Sequence, residues 1–222
     1  MTAELTVSRE DYLKAIHEAE SEGRAVVPVL LSQWLEVSPP AVTKALRRLR
    51  EDGFVEDAEA GSLRLTNKGR QVAHRTAFRH YLVERMLSEI FGMEWHQIHA
   101  EAERLEHVIS PEFEAKLIEK LGEEADCPHG NRVLPESPAQ ILGRGLLPLS
   151  DVAEDARCTV ASLYERDDRL LSFLHGLGIG PQTNLRVLGR NYDRTLQLQL
   201  DGRDVTLGLS AAEKVYVRLQ SG

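Results

Sequence analysis

The first half of the chain repeats apolar residues at helical spacing, and the last third alternates them. In "REDYLKAIHEAESEG", Tyr12, Leu13, Ile16 and Ala19 fall on one helical face and Gly23 closes the segment, which predicts a first helix. "VPVLLSQWLEV" predicts a short second helix with Val29, Leu30 and Leu35 toward a core. In "SPPAVTKALRRLREDGFV", Ser38 stands at a capping position and the prolines fall in the first turn, where a missing N–H breaks no bond. Val42, Leu46 and Leu49 then make a buried stripe that stops near Gly53. This helix has the place of the second half of a helix-turn-helix. Two short strands, Phe54–Glu56 and Ser62–Thr66, follow around a turn at Gly61, so the segment reads as a winged helix-turn-helix.

A long helix is expected from Lys68 to Phe91, with Val72, Leu82, Met86, Leu87 and Ile90 on its apolar side. "HAEAERLEHVIS" predicts another helix, and "SPEFEAKLIEKLG" a further one started by Ser110 and Pro111. From "DCPHGN" to "LLPLSD" the chain is rich in Pro and Gly and loses its period, which reads as a linker. "TVASLYE", "NLRVLGR", "TLQLQL" and "DVTLGL" are β-patterned, the last two split by Asp201-Gly202, a hairpin signal. The expected fold is multidomain and mainly α: a winged helix-turn-helix over 1–72, an all-α domain over 73–140, and a linker with an all-β SH3-like barrel over 141–222.

Composition narrows the function classes. The 222 residues are 42% hydrophobic, an ordinary globular share, and contain neither an apolar run long enough to span a membrane nor a signal-like start. A soluble, cytoplasmic protein without a membrane partner is expected. Two cysteines, Cys127 and Cys158, are too few for a disulfide framework and read as thiols or ligands. The net charge of −8 is unevenly placed: residues 80–126 hold four Lys/Arg against twelve Asp/Glu and alone account for it. Two basic stretches come before, at 37–50 and 64–79, both free of acids. In the first, Ser38, Pro40, Ala41, Thr43, Lys44, Arg47 and Arg48 lie on or near the face opposite the apolar stripe, as a helix entering the major groove requires.

The acidic segment carries the candidate chemistry. Glu103, Glu106 and His107 are spaced i, i+3 and i+4, which brings oxygen and imidazole donors to one face of a helix. His80 and Glu84 form a further i, i+4 pair on the preceding helix, and His99 lies four residues before Glu103. If the two helices are antiparallel neighbours, six potential metal ligands meet between them; otherwise the same residues form a solvated charged face. "DCPHG" adds Cys127 and His129 where a loop can fold back toward Glu84. Neither H-E-x-x-H nor paired Glu-x-x-His motifs occur, and no nucleophile is arranged beside a base, so an enzyme is not expected.

With those residues assembled, the chain resembles the diphtheria-toxin-repressor family of metal-dependent transcriptional repressors. The likeness is carried by "EDYLKAI", "SPPAVTKALRRLREDG", "LTNKGRQVA", "RHYLVERMLSEIFGM", "HAEAERLEHVIS" and "CPHGN", in that order. It implies a helical middle domain that dimerises, and a homodimer that binds double-stranded operator DNA when loaded with Fe(II) or Mn(II). It further implies one metal site made by Asp11, His80, Glu103, Glu106 and His107, and a second made by Glu84, Cys127 and His129 with an acid from "ERDDRLL", taken as Asp168. His80 and His99 match positions of an ancillary site in iron-sensing relatives.

Iron sensors of the family carry a methionine and a cysteine where this chain has Asp11 and Glu103. Harder carboxylates there favour Mn(II), the metal of the family's manganese-sensing three-domain branch, although Zn(II), Co(II) and Ni(II) bind more tightly by the general affinity order. The expected function is manganese-dependent repression of metal-homeostasis genes. The alternatives are an iron-dependent repressor of the same family and a winged-helix regulator that senses a small molecule.

Overall fold

The computed structural model describes residues 7–123 and 126–220, and in it the first domain follows the apolar stripes closely. Helix α1 (Val7–Ser21) buries Tyr12, Leu13, Ile16 and Ala19; α2 (Pro28–Trp34) buries Leu30 and Leu31, and α3 (Pro39–Glu51) buries Val42, Leu46 and Leu49. The expectation for Val29 does not hold: it is exposed, because the helix begins at Pro28 and turns Leu31 inward instead. Strands β1 (Val55–Asp57) and β2 (Leu63–Leu65) pair antiparallel as the wing. These residues share one core, to which Ala73 at the start of the next helix belongs.

Helix α4 (Asn67–Arg85) is capped by the Thr66 side chain and continues into one π-helical turn over Met86–Ile90. Arg85 fixes that end: its guanidinium donates to the Leu121 and Gly122 carbonyls, to Tyr81 and to Glu89, and so ties α4 to the close of α6. Helix α5 (Ile98–Leu105) stops before Glu106, and α6 (Pro111–Leu121) is capped by Ser110 with Pro111 in its first turn. A second core, containing Leu82, Val83, Ile98, Ala102 and Leu117, lies among these helices.

The expected linker contains a short helix, α7 (Pro138–Gly143), started by a reciprocal Ser137–Gln140 capping box. Then come β3 (Leu147–Pro148), β4 (Arg157–Leu163), α8 (Asp168–Leu177), β5 (Asn184–Arg190), β6 (Thr195–Leu200), β7 (Arg203–Gly208), α9 (Leu209–Ala212) and β8 (Val215–Leu219). The strands form one antiparallel sheet in the order β3-β8-β4-β5-β6-β7 around a third core. Two features join this SH3-like domain to the others. Arg166 lies over the Trp34 ring at 4.0 Å and pairs with Glu18 at 2.7 Å and with Glu22, which docks the domain on α1 and α2. The loop 127–131 straps β4: Leu163 N–H donates to the His129 carbonyl at 3.0 Å, and Asn131 Nδ2 donates to the Leu163 carbonyl at 2.9 Å.

That strap depends on a glycine. Gly130 has φ +84°, and a Cβ there would meet the Ala161 carbonyl oxygen at 1.8 Å, at the bulge in β4. Gly130→Ala is expected to destabilise the protein by roughly 2–4 kcal/mol in denaturant unfolding, from left-handed strain and overpacking together. Gly176→Ala, within α8 and facing open space, is expected to be neutral or to stabilise by up to roughly 1 kcal/mol.

Candidate metal centre

Glu10, Asp11 and Lys14 project from one side of α1, a turn apart, while Leu13 and Ile16 anchor the helix in the first core. Helix α4 packs on α1 and presents His80 and Glu84 one turn apart. Glu106 closes α5 with helical dihedrals and an N–H bond to the Ala102 carbonyl, and His107 follows in the turn just past it.

In the first group, Asp11, Glu106 and His107 bring one donor atom each within 4.8 Å of the others. His107 Nε2 is 2.8 Å from Asp11 Oδ1 and 3.4 Å from Glu106 Oε1. Its other nitrogen, Nδ1–H, donates to Glu10 at 2.7 Å, which orients the ring with Nε2 toward the two carboxylates. The second group joins Glu84, Cys127, His129 and Glu165. His129 Nδ1 is 3.4 Å from Glu84 and 3.5 Å from Glu165, and Cys127 Sγ is 3.5 Å from Glu165. Here too the far nitrogen fixes the ring, since His129 Nε2–H donates to the Trp95 carbonyl at 2.7 Å. In each group a histidine is therefore held so that its free lone pair, once deprotonated, points among carboxylate oxygens. Oxygen and imidazole donors in this arrangement fit a divalent transition metal.

His80 spans the two groups. Its Nδ1 is 2.5 Å from Glu106 and 3.0 Å from Lys14 Nζ, and its Nε2 is 3.1 Å from both Glu84 and His99. Lys14 completes the network by donating to both Glu106 oxygens at 2.9 and 3.2 Å. Glu84 and Glu106 are each 1% exposed.

Burial works against every charge here, and mutual pairing overrides it. Burial and the Lys14 ammonium pull the His80 imidazole down, but Glu84 and hydrogen bonds to Glu106 and Glu84 push it up to about 10. His107 is raised to about 9: burial opposes its charge, and Asp11, Glu10 and Glu106 restore it. Glu106 is lowered to about 2, with burial opposed by Lys14 and His80. Glu84 is held well below the usual carboxylate range by His80, His129 and His99 in spite of its burial. Cys127 is pushed well above the usual thiol value by burial and by Glu165 and Glu84, so a metal must displace its proton to use the sulfur.

The structure thus brings together Asp11, His80, Glu84, His99, Glu106, His107, Cys127 and His129. Two expected ligands stand apart. Asp168 is exposed at the first turn of α8, where the preceding Asp167 caps the helix through Leu170 N–H and pairs with Lys214; Glu165, at the end of β4, reaches the second group instead. Glu103 is 55% exposed and faces Lys14 at 3.6 Å and His99 at 3.8 Å, outside the first donor group. Glu10, Lys14 and Glu165 had no assigned place from sequence; "RED" and "YERDD" supply the right residue types, but their contacts join elements far apart in the chain.

On α3, Ser38, Pro40, Thr43, Lys44, Arg47 and Arg48 are all exposed on the side away from the core. The Ser38 side chain does not cap the helix, contrary to the expectation, and Thr43 Oγ1 donates to the Pro39 carbonyl at 3.0 Å. Among the described residues no helix is long and apolar enough to cross a membrane.

Residues 4–63 match the family "Iron dependent repressor, N-terminal DNA binding domain", residues 66–135 match "Iron dependent repressor, metal binding and dimerisation domain", and residues 147–219 match "FeoA domain". The chain is 35% identical over 157 residues to the iron-dependent repressor IdeR of Mycobacterium tuberculosis, 70% of this chain and 66% of that protein, so the match spans just under two thirds of the relative. It is 36% identical over 130 residues to the diphtheria toxin repressor of Corynebacterium diphtheriae, 59% of this chain and 58% of the relative. A solved manganese-dependent transcriptional repressor in complex with manganese superposes with a TM-score of 0.81 at 30% identity, covering 96% of this chain and 100% of that one.

Two outcomes follow for the metal-free protein. His80 and His107 bind protons more tightly folded than unfolded, where a histidine titrates near about 6.5. Their contribution to stability is full below that pH and is lost as pH rises through about 9 for His107 and about 10 for His80. Glu106 contributes above the unfolded value of about 4.3, and that contribution is lost as pH falls toward about 2. His17 works the other way: burial holds it down to about 4, so stability is lost as pH falls below the unfolded value of about 6.5. Denaturant midpoints should therefore peak near about pH 6.5 and decline toward pH 9, and His107→Gln should flatten that decline. Lys14→Met, which leaves buried Glu106 with only the His80 and His107 imidazoles beside it, should cost about 3–5 kcal/mol in the same assay.

Proposed function

The chain belongs to the iron-dependent repressor family, and from that premise we propose that it is a Mn(II)-dependent transcriptional repressor that binds operator DNA as a homodimer and controls metal-homeostasis genes. The observation that carries this reading is that each donor group draws on two domains. Asp11 lies on α1 of the winged helix and Glu106 and His107 in the helical domain; Glu84, Cys127 and His129 lie in the helical domain and Glu165 in the SH3-like domain. Asp11, Glu106 and His107, with His80 beside them, would hold one ion; Glu84, Cys127, His129 and Glu165, with His99 adjacent, would hold the other.

A bound divalent cation supplies the positive charge that Lys14 and the protonated imidazoles supply without it. The chain's own residues do the rest. Glu10 and the Trp95 carbonyl keep His107 and His129 aimed, and deprotonation of these rings exchanges a diffuse ion-pair network for fixed coordination. That exchange favours one orientation of α1, and with it of α3, over the others, which is a population shift driven by differential affinity. In a dimer it would set the two recognition helices at a spacing of roughly 34 Å, one turn of duplex. Exposed Phe91 and Val108, with the partly exposed Ile90 and Phe113, give the helical domain an apolar surface suited to the second protomer. On α3, Ser38, Pro40 and Thr43 stand where base edges would be met, and Lys44, Arg47 and Arg48 where phosphates would be.

The manganese preference is supported by the carboxylates of Asp11 and Glu106 and by the likeness to a manganese-dependent repressor. The iron-dependent alternative is supported by the names of the mycobacterial and corynebacterial relatives. Anaerobic titration with Mn(II) and Fe(II), read out by anisotropy of a labelled operator selected from random duplexes, tests both. Mn(II) should activate binding at cytoplasmic-like concentrations, chelation should abolish it, and Glu106→Gln should lose the metal response; activation by Fe(II) alone would sink the manganese assignment. Arg47→Ala should weaken binding to all duplexes about equally and lower the slope of log K against log salt by about 1.

A further inference from the structure

A third set of donor atoms lies outside both groups. Glu94 and His96 sit in the loop between the end of α4 and α5, and His175 in the last turn of α8; one donor atom from each lies within 4.8 Å of the other two. The His96 and His175 rings stack with centroids 3.8 Å apart and planes 20° from parallel. Two imidazoles and a carboxylate thus lie together from the helical and SH3-like domains, and none of the three belongs to the centres described above.

Among the described residues His96 Nδ1 is buried without a hydrogen-bond partner, an arrangement that costs stability unless something accepts the lone pair. Burial and the neighbouring His175 lower the His96 pKa, so the ring is neutral near pH 7 and keeps that lone pair available. We propose that Glu94, His96 and His175 form a further divalent-metal site, suited to a borderline cation such as Zn(II), that clasps α8 of the SH3-like domain to the helical domain. Two imidazoles and one carboxylate leave a fourth tetrahedral position for water. Stacked rings do not aim at one point, so binding requires a turn about χ2; His175 is exposed and makes that turn at little cost.

The clasp adjoins the second centre through one residue. The Trp95 ring lies 5.8 Å from each of the two histidine rings and packs on the SH3-like core against Gly180, while its carbonyl accepts the bond that orients His129. A cation held by the neighbouring side chains would fix the segment that carries this carbonyl.

Equilibrium dialysis of the full chain against Zn(II), with metal counted by mass spectrometry, tests the site without reference to DNA. The parent should hold one Zn(II) per chain more than His175→Ala, a surface change that leaves the cores intact. Glu94→Gln should weaken the same equivalent by about 10-fold or more, the scale on which even outer-sphere partners act. Equal Zn(II) counts in the parent, His175→Ala and His96→Ala would overturn the proposal.

Discussion

Two carboxylates buried to 1% exposure, Glu84 and Glu106, set the terms for the whole molecule. An isolated buried charge is too costly to keep, so each must be met by positive groups or a metal. In this chain the partners come from separate elements: Lys14 from α1, His80 from α4, His99 from α5 and His129 from the strap. Each of the three apolar cores is centred in one domain, although Trp95 of the helical domain packs on the SH3-like core. What joins the domains is mainly polar: this network, with Arg166 docked on Trp34 and Glu18. An assembly held together by titratable groups responds to protons and cations, whereas one held by apolar packing does not.

The network is continuous, and this matters more than the separate geometry of either donor group. His80 touches Glu106 through one nitrogen and Glu84 through the other, so its proton cannot be assigned to one centre. A cation that takes Glu106 from Lys14 also changes what His80 offers to Glu84. The two groups are therefore joined without any change of fold, directly by the His80 imidazole and, at longer contacts, through Lys14, Glu103 and His99.

Most of the first two domains was legible because their cores are written at helical period, and the stripes of α1, α3 and α4 reappear as buried faces. The long helix from Lys68 was right in extent, but its last turn is π-helical, a local change in hydrogen bonding that periodicity does not reveal. Helix α8 is not predicted by the apolar pattern, because its buried positions Leu170, Leu171 and Leu174 span only about one turn between β-patterned segments. The same segment shows why the third-domain acid was misplaced. Asp167 is spent on capping α8, Asp168 faces solvent, and Glu165 reaches the site from the end of β4, so the choice among adjacent acids depends on where strand gives way to helix. Glu10 and Lys14 were illegible as site residues for another reason: they meet His107 and Glu106 across 97 and 92 residues, and only the packing of α1 on the helical domain sets those pairs.

Glu103 does not join the donors that its helical spacing predicts. By helical spacing it shares a face with Glu106 and His107, and Glu106 keeps helical dihedrals and an N–H bond to the Ala102 carbonyl at 2.9 Å; yet Glu106 is buried between α1 and α4 partners while Glu103 is 55% exposed. The proposed preference for a hard cation then rests on Asp11, whose Oδ1 lies 2.8 Å from His107 Nε2, and on Glu106. Glu103 acts instead on Lys14, 3.6 Å away, as a second anion that shares the ammonium with Glu106. A carboxylate at that position helps keep Lys14 charged in place of a cation when none is bound. The second group differs in kind, since its Cys127 thiol is pushed upward by burial and by two acids. The carboxylates of the first group suit Mn(II), with the His107 imidazolium proton to expel, whereas the sulfur of the second demands a metal strong enough to displace a thiol proton. On the proposed reading the two centres would select on different grounds, the first chiefly by hardness and the second by the strength with which a cation competes for a thiolate.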